Sequence, residues 1–332
     1  MHKKQSPFPF AGLWSLFSDR ETLIPFPARL EKWMQCKQGG LMHRKLQKEA
    51  GPSYRAEMSL KHTTEMDETL AITVEGRADG VITETEMAAD ESGELGLKEV
   101  VTIDEIKGTY RNLRYITEPV SVHLAQAKCY AYIYGIQNDL QKINVQMTYG
   151  NLDTGDLKYF SYEYSMQQLQ EWFSDLILKY KKWADFQYEW RKKRQASIKE
   201  LAFPFPYREG QKELAAGVYR TIARKKNLFI QAPTGVGKTI STLYPAIKAV
   251  GEGLGDKIFY LTAKTVTANV AKETLGILCE KGYRAKSVQI TAKEKLCPCE
   301  EVDCNPVSCP YAKGHFDRVN DAVYDLLQKE II

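Results

Sequence analysis

Apolar and polar positions recur with two periods along the chain, and the changes of period mark its elements. Residues 69–83 (TLAITVEGRADGVIT) and 97–110 (LKEVVTIDEIKGTY) have strand composition, with turn-like Gly76 and Gly80 in the first. The acidic stretch from Glu84 to Glu94 predicts a hairpin loop between them. Before these, GGLMHRKLQKEA predicts a helix entered from the glycine pair Gly39–Gly40. Residues 121–135 (SVHLAQAKCYAYIYG) predict a helix ending at Gly135. The segment INVQMTYGNLDTGDLKYFSYEY alternates on both sides of NLDTGD, a hairpin signal. Residues 165–201 then contain neither Gly nor Pro, and Leu169, Trp172, Phe173, Leu176, Tyr180 and Trp183 recur at helical spacing as a core stripe.

The pattern changes after the basic run Arg191 to Arg194 and the segment FPFPY. A helix over YREGQKELAAGVYRTIARKKN is followed by the apolar strand LFIQ (228–231), a Gly-rich loop, a second helix and the strand KIFYLT (257–262). Strand, loop, helix, strand is the order of a parallel α/β unit. The expected division is therefore an irregular arm at 1–37, an α/β domain at 38–165, a helical linker at 166–205, a phosphate-loop domain at 206–292 and a Cys-rich segment at 293–332. The first 35 residues mix prolines and aromatics without a period and carry no functional reading.

Composition narrows the classes. With 332 residues and 43% hydrophobic content, the chain can build more than one core. A formal charge of +4 does not by itself announce nucleic-acid binding. No run approaches the ~18 apolar residues of a membrane span. The first residues also lack the apolar core of a secretory leader, so a cytoplasmic location is expected. There, seven cysteines point to reduced thiols or metal ligands rather than disulfides. Cys36, Cys129 and Cys279 read as buried thiols.

Two clusters of residues carry chemistry. QAPTGVGKT (231–239) has the phosphate-loop pattern, with Ala232 at the first glycine position. Thr234, Gly235, Val236 and Gly237 form the turn, and its glycines allow successive N–H groups to face phosphate oxygens. Lys238 can reach the β- and γ-phosphates of ATP, and Thr239 can ligate Mg²⁺. Tyr207 and Gln211, about 25 residues upstream, look like a helicase's adenine-reading element; Gln offers a donor and an acceptor, and Tyr207 a stacking face. The second cluster lies in the first half. Asp79 closes one strand, and Glu105 and Lys107 share one face of the next. Asp79 and Glu105 can share one Mg²⁺, with Lys107 beside the attacking water. Asp104 competes with Glu105, which alone has the spacing to Lys107. Gln126 and Tyr130 lie one helical turn apart on one face.

Cys297, Cys299, Cys304 and Cys309 read C-x-C-x4-C-x4-C, more compact than paired zinc knuckles and suited to a [4Fe–4S] cluster. YREGQ, APTGVGKT, FYLTAKTVTANVAKE and this cysteine cluster, in order, resemble the XPD/DinG group of superfamily 2 DNA helicases over roughly 200–332. The resemblance implies a RecA-like motor domain with a small iron–sulfur insertion, and a [4Fe–4S] cluster on those four cysteines beside single-stranded DNA. No DEAH-like acidic box follows Lys238, so the chain is expected to be the front part of a longer helicase that binds nucleotide weakly and does not unwind DNA alone.

His43, Asp79, the Glu105-x-Lys107 pair and Gln126-x3-Tyr130, in this order, resemble the RecB-like PD-(D/E)xK nucleases over about 38–165. That resemblance implies His43, Asp79 and Glu105 as Mg²⁺ ligands and Lys107 as the catalytic lysine. Gln126 and Tyr130 would support the site or contact DNA. Together the two imply an ATP-dependent DNA helicase with an attached Mg-dependent nuclease, acting on single-stranded or forked DNA in repair or recombination. Two other readings stand beside it: a non-catalytic DNA-binding module, and a zinc-binding P-loop ATPase without nuclease activity.

Overall fold

The computed structural model describes residues 5–9, 28–68, 70–89, 95–233, 235–263, 265–300, 302–305 and 307–329. The chain divides into two compact units: 1–184 with 301–321, and 185–300 with 322–332.

The first unit is a mixed α/β structure on a six-stranded sheet. Its strands are β1 (Gln5–Pro9), β2 (Tyr54–Glu65), β3 (Ala71–Ala89), β4 (Leu95–Thr109), β5 (Lys142–Asn151) and β6 (Leu157–Ser165). The order is β1-β3-β4-β5-β6, with β2 also paired to β3. β4 and β5 run parallel, which requires a crossover. Helix α2 (Ser121–Gln137) supplies it. Helix α1 (Ala28–Glu49) precedes β2, and α3 (Met166–Glu200) follows β6.

The expected helix at the glycine pair instead begins at Ala28 and runs through Gly39 and Gly40. β3 runs to Ala89, so most of the expected acidic loop is strand, and 90–94 lie outside the described residues. The hairpin signal is met by β5 and β6, and the Gly/Pro-free stretch by α3.

The core is built from inward strand positions, including Ile72, Val74, Val81, Ile103, Val145 and Met147. The α3 stripe Leu169, Phe173, Leu176, Ile177 and Tyr180 is buried with them. Burying each such side chain contributes about 1.5–3 kcal/mol. Glycine is used at points of close approach, Gly80 and Gly135 among them. A Cβ at Gly80 would lie 1.9 Å from the Tyr54 ring, and one at Gly135 2.3 Å from the Met166 sulfur.

The second unit takes up the end of α3 and adds α4 (Gln211–Ala223), α5 (Lys238–Gly251), α6 (Thr265–Glu280) and the single turn α7 (Lys293–Leu296). Helix α8 (His315–Gln328) straddles the division. Its core joins Ile198 and Leu201 to Ile240, Ile247 and Val250 of α5, with Leu278 and Tyr283. Lys248 reaches back to the carbonyls of Ile198, Lys199 and Leu201, placing a cation on the C-terminal end of α3.

The expected strands at 228–231 and 257–262 are not formed: the described residues there pair with no other strand. Phe229 is 96% exposed and Leu261 88%. An apolar run becomes a strand only when a neighbour takes its N–H and C=O groups, and no described segment does so here.

Candidate active site

The fork of β3 creates the site. Residues 71–75 pair with β1, and 80–89 pair with β4. Asp79 falls in the gap, and on the opposite side it faces Glu57, which has no register partner and φ 56°. Beyond Asp104 the β4 backbone therefore leaves β3. The carboxylate of Asp79 takes up the loose end: Oδ2 accepts from the Ile106 N–H at 2.8 Å. A short acidic side chain thus replaces a missing ladder bond, while Oδ1 lies 3.4 Å from His43 Nδ1.

Helix α1 delivers His43 and, one turn on, Gln47. Gln47 Nε2 donates to the Asp79 carbonyl at 2.9 Å and to Glu57 Oε1 at 3.1 Å. Gln47 bears no motif; only the residue spacing along α1 could have pointed to it.

On β4, Glu105 and Lys107 share the face covered by α2. Glu105 is 1% exposed. Its Oε1 accepts from Lys107 Nζ at 2.6 Å, while its buried Oε2 has no hydrogen-bond partner. Burial pushes the Glu105 pKa up to about 8, against the pull of Lys107 and with the push of Asp79. Lys107 also donates to Gln126 Oε1 at 3.1 Å, and Gln126 Nε2 donates to Tyr130 Oη at 3.1 Å. Burial raises the Tyr130 phenol to about 12, so it stays protonated. The structure therefore brings Glu105, Lys107, Gln126 and Tyr130 into one hydrogen-bonded row, and His43 with Asp79 into a pair.

Asp104 faces the other way and is satisfied. It accepts from Tyr54 at 3.1 Å, Thr148 at 2.6 Å and Gln146 at 3.2 Å. Between the two carboxylates, Glu105 keeps the open oxygen.

That oxygen is the feature that fits a cation. A buried carboxylate oxygen without a donor is costly, and a divalent ion bound by carboxylates would satisfy it. Among the described residues, however, no three His, Cys, Asp or Glu side chains gather closely enough to enclose a metal. Cys297, Cys299, Cys304 and Cys309 are all half-buried.

In the phosphate loop, Gly235 and Gly237 adopt the left-handed φ values 84° and 73° that side chains resist, and α5 starts at Lys238. Thr234 lies outside the described residues. Val236 and Thr239 occupy the loop and the first turn of α5. Lys238 Nζ donates to the carbonyls of Ala232 and Pro233 at 2.8 and 2.9 Å. Gln211 is engaged at both ends. Its Oε1 accepts from Arg208 N, and its Nε2 donates to the Val236 carbonyl at 3.3 Å. Arg208, in the same YREGQ stretch, donates to the Gly235 carbonyl at 2.5 Å. Tyr207 stacks on Phe203 at 4.1 Å. Gln211 and Arg208 thus brace the loop's backbone.

No family model matches the chain. A stretch of 51 residues, 15% of this chain, is 51% identical to a probable ATP-dependent helicase of Methanocaldococcus jannaschii. The match spans 8% of that relative's length. The crystal structure of SSO0001 overlaps 54% of this chain and 77% of its own, at 14% identity and a TM-score of 0.30, an overlap too loose to carry an argument about fold or function. No described helix is long and apolar enough to cross a membrane.

Proposed function

We propose that the first unit is a divalent-metal-dependent DNA nuclease and the second is part of an ATP-dependent helicase. The orphaned Oε2 of buried Glu105, in line with Lys107 and near the His43–Asp79 pair, is the observation that carries the nuclease reading. His43, Asp79 and Glu105 would hold Mg²⁺. When bound, the metal would polarise the scissile phosphate and lower the pKa of a water. Asp79, tied to the backbone of β4, fixes the distance between the strands. Lys107 is held between Glu105 and Gln126 and places its ammonium where charge develops on the phosphate. Tyr130 steadies Gln126. The pairing with a helicase is supported by the short match to a helicase relative and by the loop geometry around Lys238. The substrate proposed is single-stranded or forked DNA, and the setting repair or recombination.

The spacing of Cys297, Cys299, Cys304 and Cys309 alone supports the [4Fe–4S] proposal, and no step is assigned to it. ATP is proposed to bind at Gly235–Thr239, where Lys238 would exchange the two loop carbonyls for phosphate oxygens.

The test is cleavage of single-stranded DNA with Mg²⁺ by the full chain and by Lys107→Ala. Loss of about 10²–10³ in rate is expected from removing a positioned cation. Unchanged cleavage by the variant would remove Lys107 from the chemistry.

A further inference from the structure

We propose that His123 and Tyr149 are positioning residues for Lys107: an uncharged clamp that fixes the first turn of α2 on β5, so that Gln126 receives the lysine ammonium. The role given to Lys107 rests on the nuclease reading above; the clamp itself rests on geometry.

Tyr149 lies directly across from Lys107 in the β4–β5 register, so the two side chains stand on one face of the sheet. Its Oη makes two contacts. The backbone N–H of Val120, the residue that caps α2, donates to it at 3.0 Å. His123 Nδ1 lies 3.0 Å away. An N–H can only donate, so the phenol oxygen accepts from Val120 and keeps its own proton to give. Burial, and then the charge of Lys107, lowers the His123 imidazole to about 4, so the ring is neutral at neutral pH. A neutral ring has one acceptor nitrogen. In the proposed clamp the Tyr149 proton goes to Nδ1, and the ring hydrogen sits on Nε2.

One turn further along α2, Gln126 accepts from Lys107, and one turn beyond that Tyr130 holds Gln126. His123, Gln126 and Tyr130 form one stitched row on the helix. The clamp anchors its N-terminal end, where α2 has no side-chain cap. A charged clamp would push Lys107 away; a neutral one holds the helix without competing for Glu105. Neither residue belongs to the motifs read from the sequence.

Four variants of the full chain test this: His123→Leu, which removes the acceptor; His123→Asn, whose amide oxygen can stand in for Nδ1; Tyr149→Phe; and Lys107→Met. The first readout is independent of cleavage. The hydrogen-bonded ammonium of Lys107 gives a slowly exchanging proton–nitrogen NMR signal, assigned by its absence in Lys107→Met. That signal is expected to persist in His123→Asn and to vanish in His123→Leu and Tyr149→Phe. The ring nitrogens of His123 should report a bare Nδ1 from about pH 6 to 8. The second readout is cleavage. His123→Leu and Tyr149→Phe should lower kcat about tenfold with little change in KM, and His123→Leu should cost nothing more in a Lys107→Met background. A protonated Nδ1, or a Lys107 signal indifferent to His123→Leu, would overturn the clamp whether or not the chain cleaves DNA. Absence of cleavage with the NMR pattern intact would instead overturn the nuclease reading alone.

Discussion

The two units treat their chemistry-bearing residues differently. In the first, Glu105 and Lys107 ride on a strand paired to β5, and α2 and Asp79 fasten that strand from two sides. In the second, the segment leading into the phosphate loop forms no strand among the described residues and is largely exposed, and the loop is braced by Arg208 and Gln211. A site built on register inherits its precision from the whole sheet. A loop site without paired strands depends on a few side-chain contacts to its backbone.

Glu105→Gln sharpens the comparison most. Cleavage should fall by at least about 10³, because the proposed ligand charge is lost. Stability should move the other way. In metal-free buffer the Glu105 carboxyl, at about 8 in the fold against an ordinary 4.5, holds its proton longer in the native state. Its contribution is therefore fully present below about pH 4.5 and lost as pH rises through about 8. Glu105→Gln should flatten that loss and raise the melting temperature at pH 8. An unchanged pH profile of thermal melting would remove Glu105 as a buried, strained carboxyl.

Gly80→Ala comes next. The added Cβ, on the strand that carries Asp79, would lie 1.9 Å from the Tyr54 ring, so about 1–3 kcal/mol of destabilisation is expected in a denaturant titration. Tyr54 would also lose its place on Asp104.

Gly237→Ala should be milder for the fold and specific to the second unit. Its φ of 73° costs a side chain about 1 kcal/mol, and the Cβ would press on Gln211 Nε2 at 2.5 Å. Binding of a fluorescent ATP analogue should weaken, while melting of the first unit should not shift. A Gly237→Ala protein with unchanged nucleotide affinity would break the view that Gln211 and the loop act together.

How much of this was legible follows the same divide. Glu105, Lys107, Gln126 and Tyr130 could be read because a strand's period of two and a helix turn of about four bring them together locally. The choice of Glu105 over Asp104 also followed from spacing; the hydrogen bonds of Asp104 to Thr148 and Gln146 come from β5 and were not legible locally. His123, Tyr149, Gln47 and Tyr54 were invisible because their roles come from register and from α1 docking, which no local pattern encodes. LFIQ and KIFYLT misled for the converse reason: composition shows that a segment can pair, not that a partner is present. Gln211 and Arg208 also contact the loop backbone, which no local pattern encodes.

The central claim is that Glu105 and its neighbours take up a divalent cation. Calorimetric titration of the metal-free chain with Mn²⁺, repeated on Glu105→Gln and Asp79→Asn, tests it most directly. A binding event is expected in the wild type and should be lost in both variants. Equal Mn²⁺ binding by all three proteins, or none by the wild type, would contradict it.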